Sequence, residues 1–315
     1  MTGYLIRRLG TAIIVILGIT ALTFGMLHLI ALSPGQIELG PKATKQAIKA
    51  FNHQVGWDQP LWKQFFTYVG HVAQGNFGWS YKDNQSVMSL FKEKAPLSAF
   101  LSASSLALAI IIAIPLGIYQ GVKRNSVGDI TFTGISFALY SMPVFLFALV
   151  LIDIFALNLG WVDPNIAQDQ SLSGALASWK DLILPIVALS GTSIAAYSRY
   201  QRSASLDVLT QDYIKVARAK GLSDRLVYSR HLIRNSALPM ITLIGLSLPA
   251  LIAGNVLVEA TFNIDGLGLL FVKSLQLSDD NVLLGYTLLT AILTVLGNLI
   301  ADICLTISDP RIRLV

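Results

Sequence analysis

Cysteine occurs once, at Cys304 inside an apolar run, which excludes an internal disulfide and a cysteine metal cluster and leaves the redox compartment unreadable. Charge is scarce too: Asp, Glu, Lys and Arg make up 13% of the chain, against about 25% in an ordinary soluble protein. No GxxxxGK[ST] run is present, so the backbone cradle that holds nucleotide phosphates is missing. HExxH and GxSxG are missing as well, and His28, His53, His71 and His231 are scattered without metal-ligand spacing. The sequence therefore offers neither a catalytic constellation nor a metal site of its own.

What is there is apolar. Residues of the AVILMFWYC set reach 54% of 315, and mean hydropathy is +0.62. That balance excludes disorder, a nucleic-acid-binding tail and a typical soluble two-domain enzyme. A bilayer core about 30 Å thick takes about 20 apolar helical residues to cross. Six runs qualify, roughly 9–32, 97–119, 130–157, 182–197, 237–260 and 282–307, the fourth being the shortest. Pro115, Pro143, Pro185, Pro239 and Pro249 fall in or at the ends of these runs. Membrane helices tolerate them because neighbours re-satisfy freed carbonyls, and each marks a bend. The first run has a basic start and small residues at Ala31 and Ser33, like a secretory signal, but it is too long for one and reads as an uncleaved span. The expected class is an all-α polytopic membrane protein with six transmembrane helices.

Lys and Arg near the span ends set orientation. Arg7, Arg8, Lys123, Arg124, the eight basic residues between Arg199 and Arg234, and Arg311 with Arg313 fall on one side. The opposite short loops hold Lys180 and Lys273 against Asp163, Asp169, Asp181, Asp265, Asp279 and Asp280. Both termini are expected in the cytoplasm, and the net charge of +5 reads as membrane orientation rather than nucleic-acid binding. Three parts follow: 1–32 with the first span, an extracytoplasmic segment 33–96, and a five-span core 97–315 containing a cytoplasmic loop 199–236.

The outer segment mixes Pro34, Pro41, Gly56, Pro60 and Gly78 with Trp57, Trp62, Phe65, Phe66, Tyr68, Phe77, Trp79 and Tyr81. Two readings use the same residues: an aromatic belt at the membrane interface, or a docking surface for an outer partner. In the cytoplasmic loop Tyr213, Val216 and Ala217 share a helical face. Gly221 then comes where a helix end turns left-handed, Ser223 and Asp224 stand as capping residue and first-turn acid, and Leu222, Leu226 and Ile233 begin another stripe. Helix, glycine turn, helix is the expectation. Such a loop either lies on lipid or is received by a groove on another protein.

The stretch DYIKVARAKGL (212–222) followed by HLIRNSALP (231–239) resembles the cytoplasmic signature of binding-protein-dependent ABC-importer permeases, oligopeptide/dipeptide branch. Ala217 and Gly221 match the general Glu-Ala-Ala-x3-Gly pattern, whereas Lys215 and Val216 stand where Glu and the first Ala would be. YLIRRL (4–9), GWDQPLWKQF (56–65), GNFGWS (75–80), SMPVF (141–145), EATFNIDGLG (259–268) and DPRIR (309–313) follow in the order and spacing of the branch. The branch's acidic Pro-Gly-Asp-Pro turn is replaced by Ser33-Pro34-Gly35-Gln36.

The resemblance implies a type I importer permease without a cofactor of its own. It would pair with a second homologous permease, two cytosolic ATPase subunits that hold ATP and Mg, and an external solute-binding protein. It assigns ATPase coupling to Asp212, Tyr213, Ala217, Lys220, Gly221, Leu222, Ser223, Asp224, Arg225, Leu226 and Arg230, with Ala217 and Gly221 small so that the two loop helices pack closely. Met142, Pro143 and Gly254, in mid-chain spans, are the candidates for the translocation path. The expected cargo is a short peptide and the expected location the inner membrane of a prokaryote, with nickel or another small solute as the alternative. A rival from another class is an ion-coupled carrier, for which Asp153, Glu259 and Asp302 would be the intramembrane acids. Inverted half-chain repeats, expected of such carriers, are not evident. A passive membrane scaffold would have no use for the elbowed loop.

Overall fold

The computed structural model describes residues 2–30, 33–163, 172–253 and 255–308. The chain is helical apart from one two-stranded hairpin, Trp79–Ser80 against Gln85–Ser86. Helix α1 (Thr2–Ile30) is followed by three short helices, α2 (Pro34–Leu39), α3 (Lys45–Gln54) and α4 (Leu61–Ala73). After the hairpin, Ser86 caps α5 (Val87–Val122) by accepting the Ser89 N–H. At 36 residues this helix is about 54 Å long, well beyond a bilayer core. It starts ten residues ahead of the apolar run and passes through Pro96 and Pro115 without ending.

The third expected span is not straight. Helix α6 (Val127–Ser141) and α7 (Val144–Leu151), the latter continued by π-helical turns to Asn158, meet at 107°. Extended backbone at Met142 (ψ 127°) takes the chain out of α6, and Pro143, which has no N–H to give, opens α7. Helix α8 (Leu172–Ala177) and a 3-10 turn lead into α9 (Ile183–Leu209), which outlasts its apolar stretch by more than ten residues. The loop helices α10 (Asp212–Ala219) and α11 (Asp224–Val227) come next. A π-helical turn (Tyr228–Leu232), α12 (Ile233–Ser236) and α13 (Leu238–Ala253) then run on almost without interruption. Ala237 N–H to Ile233 O (3.0 Å) and Ile241 N–H to Ala237 O (3.1 Å) carry the helical ladder across the α12–α13 join. Helices α14 (Val256–Thr261), α15 (Leu267–Leu277) and α16 (Asp280–Ser308) complete the chain.

Among the described residues four helices are long and apolar enough to cross a membrane, five if the bent pair counts as one span. The fifth expected run, 237–260, corresponds to α13, which with α12 makes about 30 Å of helix from Ile233 to Ala253 at 1.5 Å per residue; Gly254 lies outside the described residues.

Packing explains the length of α5 and α9. Ser105, Ala109, Ala113, Gly117 and Gly121 recur every four residues along α5 and are all buried. A Cβ added to Gly117 would lie 2.6 Å from both the Gln201 Cβ and the Ser198 carbonyl of α9, and one on Gly121 2.7 Å from the Ser205 Cβ. Lipid gives no hydrophobic drive between helices, so close backbone approach through small residues supplies the association. Core clusters follow α5 in turn: Phe77, Leu90, Phe91 and Leu267, then Leu97, Leu101, Leu182 and Phe262, then Ala109, Ala113, Tyr197 and Met240.

Candidate functional site: the elbow between two loop helices

Helix α10 ends in a complete Schellman arrangement. Gly221 N–H reaches Arg218 O (2.9 Å) and Leu222 N–H reaches Ala217 O (3.3 Å), with Gly221 at φ +81°. Leu222 folds back onto Ala217, the apolar contact that accompanies this cap. The requirement for glycine is conformational rather than spatial, because a Cβ added at 221 meets nothing within 4 Å. That corrects the expectation of tight helix packing at this position. Ser223 occupies the N-cap of α11 with extended backbone, yet among the described residues its side chain makes no cap hydrogen bond. Its carbonyl receives Leu226 and Val227 N–H instead, and Asp224 pairs with Arg218 across the turn at 3.3 Å.

The Tyr213–Val216–Ala217 stripe divides between an inward and an outward side. Ile214, Ala217 and Val227 form the loop's own small core with Val208, Leu222 and Tyr228 around it. Tyr213 (42% exposed) and Val216 (51%) point away from it, as does Leu226. The elbow thus leaves these three apolar side chains exposed while Ile214 is buried in the loop's own core. Charge surrounds the patch: Lys215 donates to Asp212 at 2.8 Å and holds that carboxyl below the usual carboxylate range. Partial desolvation pushes the Tyr213 phenol up. Lys220, Arg225 and Arg230 are exposed nearby in sequence.

Two ties bind the elbow to the spans. Gln201, fully buried in α9, donates to Ser236 of α12 (2.8 Å) and to Ser205 (3.3 Å). Arg202 makes a bidentate pair with Asp129 at the start of α6, at 2.8 and 2.9 Å, and Asn125 N–H adds to the same carboxylate. Neither tie was anticipated. A lone acid in an otherwise basic short loop was the available signal for Asp129.

The candidate path residues do not share one element. Met142 is half-buried and Pro143 exposed, both at the α6–α7 bend, whereas Gly254 lies outside the described residues. Of the three expected intramembrane acids, Asp153 is exposed, and the other two are occupied structurally. Glu259 is buried and accepts Asn255 N–H (3.0 Å) and Gly268 N–H (2.7 Å), closing the EATFNIDGLG hairpin between α14 and α15. Asp302 pairs with Arg8, joining α16 to α1.

Residues 113–314 match the family described as binding-protein-dependent transport system inner membrane component, and residues 1–102 match its N-terminal membrane-component family. The chain belongs to this family. It is a membrane-spanning permease subunit, and its relatives extend over the whole length. The chain is 37% identical to the oligopeptide transport system permease protein AppB of Bacillus subtilis over 99% of this chain and 100% of that one. It is 34% identical to the dipeptide transport system permease protein DppB of Lactococcus lactis subsp. cremoris over 100% of both. The glutathione transport system permease protein GsiC of Escherichia coli K12 is 33% identical over 99% of both. In the permease, the elbow between α10 and α11 lies within the matched region, as do both ties to the spans.

Proposed function

We propose that this permease imports short peptides, handed over by an external solute-binding protein, through a path shared with a second homologous permease subunit. Two cytosolic ATPase subunits burn ATP with Mg, and each permease receives one of them on its elbow. Both termini lie in the cytoplasm of a prokaryotic cell whose inner membrane the chain spans. Full-length relatedness to oligopeptide, dipeptide and glutathione permeases supports the cargo class. The single observation that carries the coupling role is the exposed Tyr213–Val216–Leu226 patch on a loop with its own rigid core. An apolar helix face of this kind fits a groove on another protein.

Closure of the ATPase pair would press on α10 and α11, and the Gln201–Ser236 and Asp129–Arg202 ties would pass the displacement to α9, α12 and α6. The α6–α7 bend at Met142 and Pro143, with Gly254 in the later span, would then face the path as it opens outward to receive substrate.

The test is affinity purification of the tagged permease with its co-expressed ATPase subunits, followed by ATP hydrolysis in proteoliposomes with the binding protein inside or outside. Tyr213→Asp and Val216→Asp are expected to leave the permease folded and to lose the ATPase, whereas Ile214→Ala loosens the elbow itself. Retention of the ATPase by both aspartate variants would overturn the docking role. Stimulation of hydrolysis by nickel and not by peptides would overturn the cargo.

A further inference from the structure

Helix α4 has three distinct sides. Phe65, Tyr68 and Val72 turn toward the protein, where Phe65 meets Phe24 of α1 at 5.7 Å between ring centroids and Tyr68 meets it at 6.4 Å. Lys63, Thr67 and His71 line a hollow of about 530 Å³ between α1, α2 and the start of α16. The third side carries Trp62 (66% exposed) and Phe66 (65%), continued at helical spacing by Val69 and Ala73. An amphipathic helix with two wetted or packed faces has no reason to leave large aromatics on the third unless something apolar covers them.

The height of α4 identifies the cover. Phe24 lies inside the apolar stretch Gly10–Leu29 of α1, about 7 Å short of Leu29 along the helix axis at 1.5 Å per residue. The contacts with Phe24 therefore hold Phe65 and Tyr68 of α4 short of the end of the apolar stretch of α1. The position is locked twice more: the His28 ring meets the Gln64 side-chain oxygen at 3.0 Å, and Gln64 donates to the Trp57 and Gln59 carbonyls at 2.8 Å each. His28 is also stacked between Phe24 (4.0 Å) and Trp57 (4.2 Å). We infer that α4 is an interfacial helix, with Trp62 and Phe66 immersed at the headgroup–acyl boundary of the leaflet that the C-terminal end of α1 reaches. Tryptophan favours that depth because its ring is apolar and its N–H can stay wet. The inference rests on the membrane-spanning character of the chain and is independent of its cargo.

Cys304 is the sole cysteine, so Cys304→Ser combined with Phe66→Cys gives a single attachment point for a nitroxide, and Trp62→Cys gives a second, independent one. Both substituted positions are exposed. In nanodiscs, power saturation is read with oxygen, which concentrates in lipid, and with a water-soluble nickel chelate. Stronger relaxation by oxygen than by the chelate at both sites is the expected result. Stronger relaxation by the chelate would place the face in water and overturn the inference. Shielding from both reagents would mean that a protein surface covers α4, which overturns it equally.

Discussion

Replacing Gly221 by valine isolates the elbow from every other property of the loop. The native φ of +81° lies where L-residues pay a backbone penalty, about 1–2 kcal/mol for an ordinary side chain and toward about 3 kcal/mol for a strained, β-branched one. No steric term adds to this, because the new Cβ meets nothing within 4 Å. A cost of about 2–3 kcal/mol shifts the balance between the native elbow and any rearranged one by roughly 30- to 160-fold. Rearrangement gives up the Gly221–Arg218 and Leu222–Ala217 hydrogen bonds and frees α11 from α10. The assay compares ATP hydrolysis with transport in the reconstituted complex for Gly221→Asn, Gly221→Ala and Gly221→Val. Asparagine tolerates the left-handed region, so coupling should fall in the order Gly, Asn, Ala, Val while the melting temperature of the spans stays nearly constant. Full coupling in the valine variant refutes the elbow. Equal loss in the asparagine and valine variants would instead assign the effect to added bulk on the docking surface.

Two further outcomes follow from the ties between helices. Asp129 is 2% exposed and shares its charge with Arg202. Arg202→Leu should therefore destabilise the purified permease by up to about 3–5 kcal/mol, the range for stripping one partner from a buried pair; the partly exposed arginine favours the lower end. The Asp129→Asn/Arg202→Leu double variant should recover part of that in a thermal melt in detergent, and a double variant as unstable as the single one would remove the pair from the account. Gly117→Val forces a methyl-bearing carbon onto Gln201 and the Ser198 carbonyl, an overpacking worth about 1–3 kcal/mol. An unchanged melting temperature there would show that α5 and α9 separate at no cost.

Much of this was legible from residues alone, and the failures have physical causes. Apolar runs located the spans because lipid leaves the backbone no alternative to helix, and Gly221 announced the elbow because few residues accept a positive φ. The ends of α5 and α9 were misjudged for opposite reasons. The start of α5 lies ahead of the apolar run, and Lys94 there is held against Asp265 at 2.5 Å inside the fold. Past Tyr197, the residues Ser198, Gln201 and Ser205 looked like an exit from the membrane, yet they are buried because Gly117 and Gly121 let the backbones close on them. In α10 two apolar pairs lie on adjacent faces, Tyr213 with Val216 and Ile214 with Ala217. Only the positions of Val208 and Val227, one on each flanking helix, decide which pair faces inward. Pro143 signalled a bend but not a turn of 107°.

The same packing determines what a push on the elbow can move. From Asp224 to Ala253 the backbone is helical almost throughout, so α11 cannot shift without carrying α13 with it. Gln201 joins α12 to α9, and α9 is closed onto α5 along the small-residue stripe. A load on α10 therefore reaches α5, α9 and α13 as one block, while Arg202 adds α6 through Asp129. Compliance has to come from elsewhere, and the structure offers it where helical bonding is broken: at Met142 and Pro143, where α6 and α7 part. Across that bend α7 packs back onto the same block, Ala148 and Leu151 lying in one cluster with Leu97 and Leu101 of α5 and Leu184 and Ala188 of α9, so the α6 side of the bend is the part left free to give.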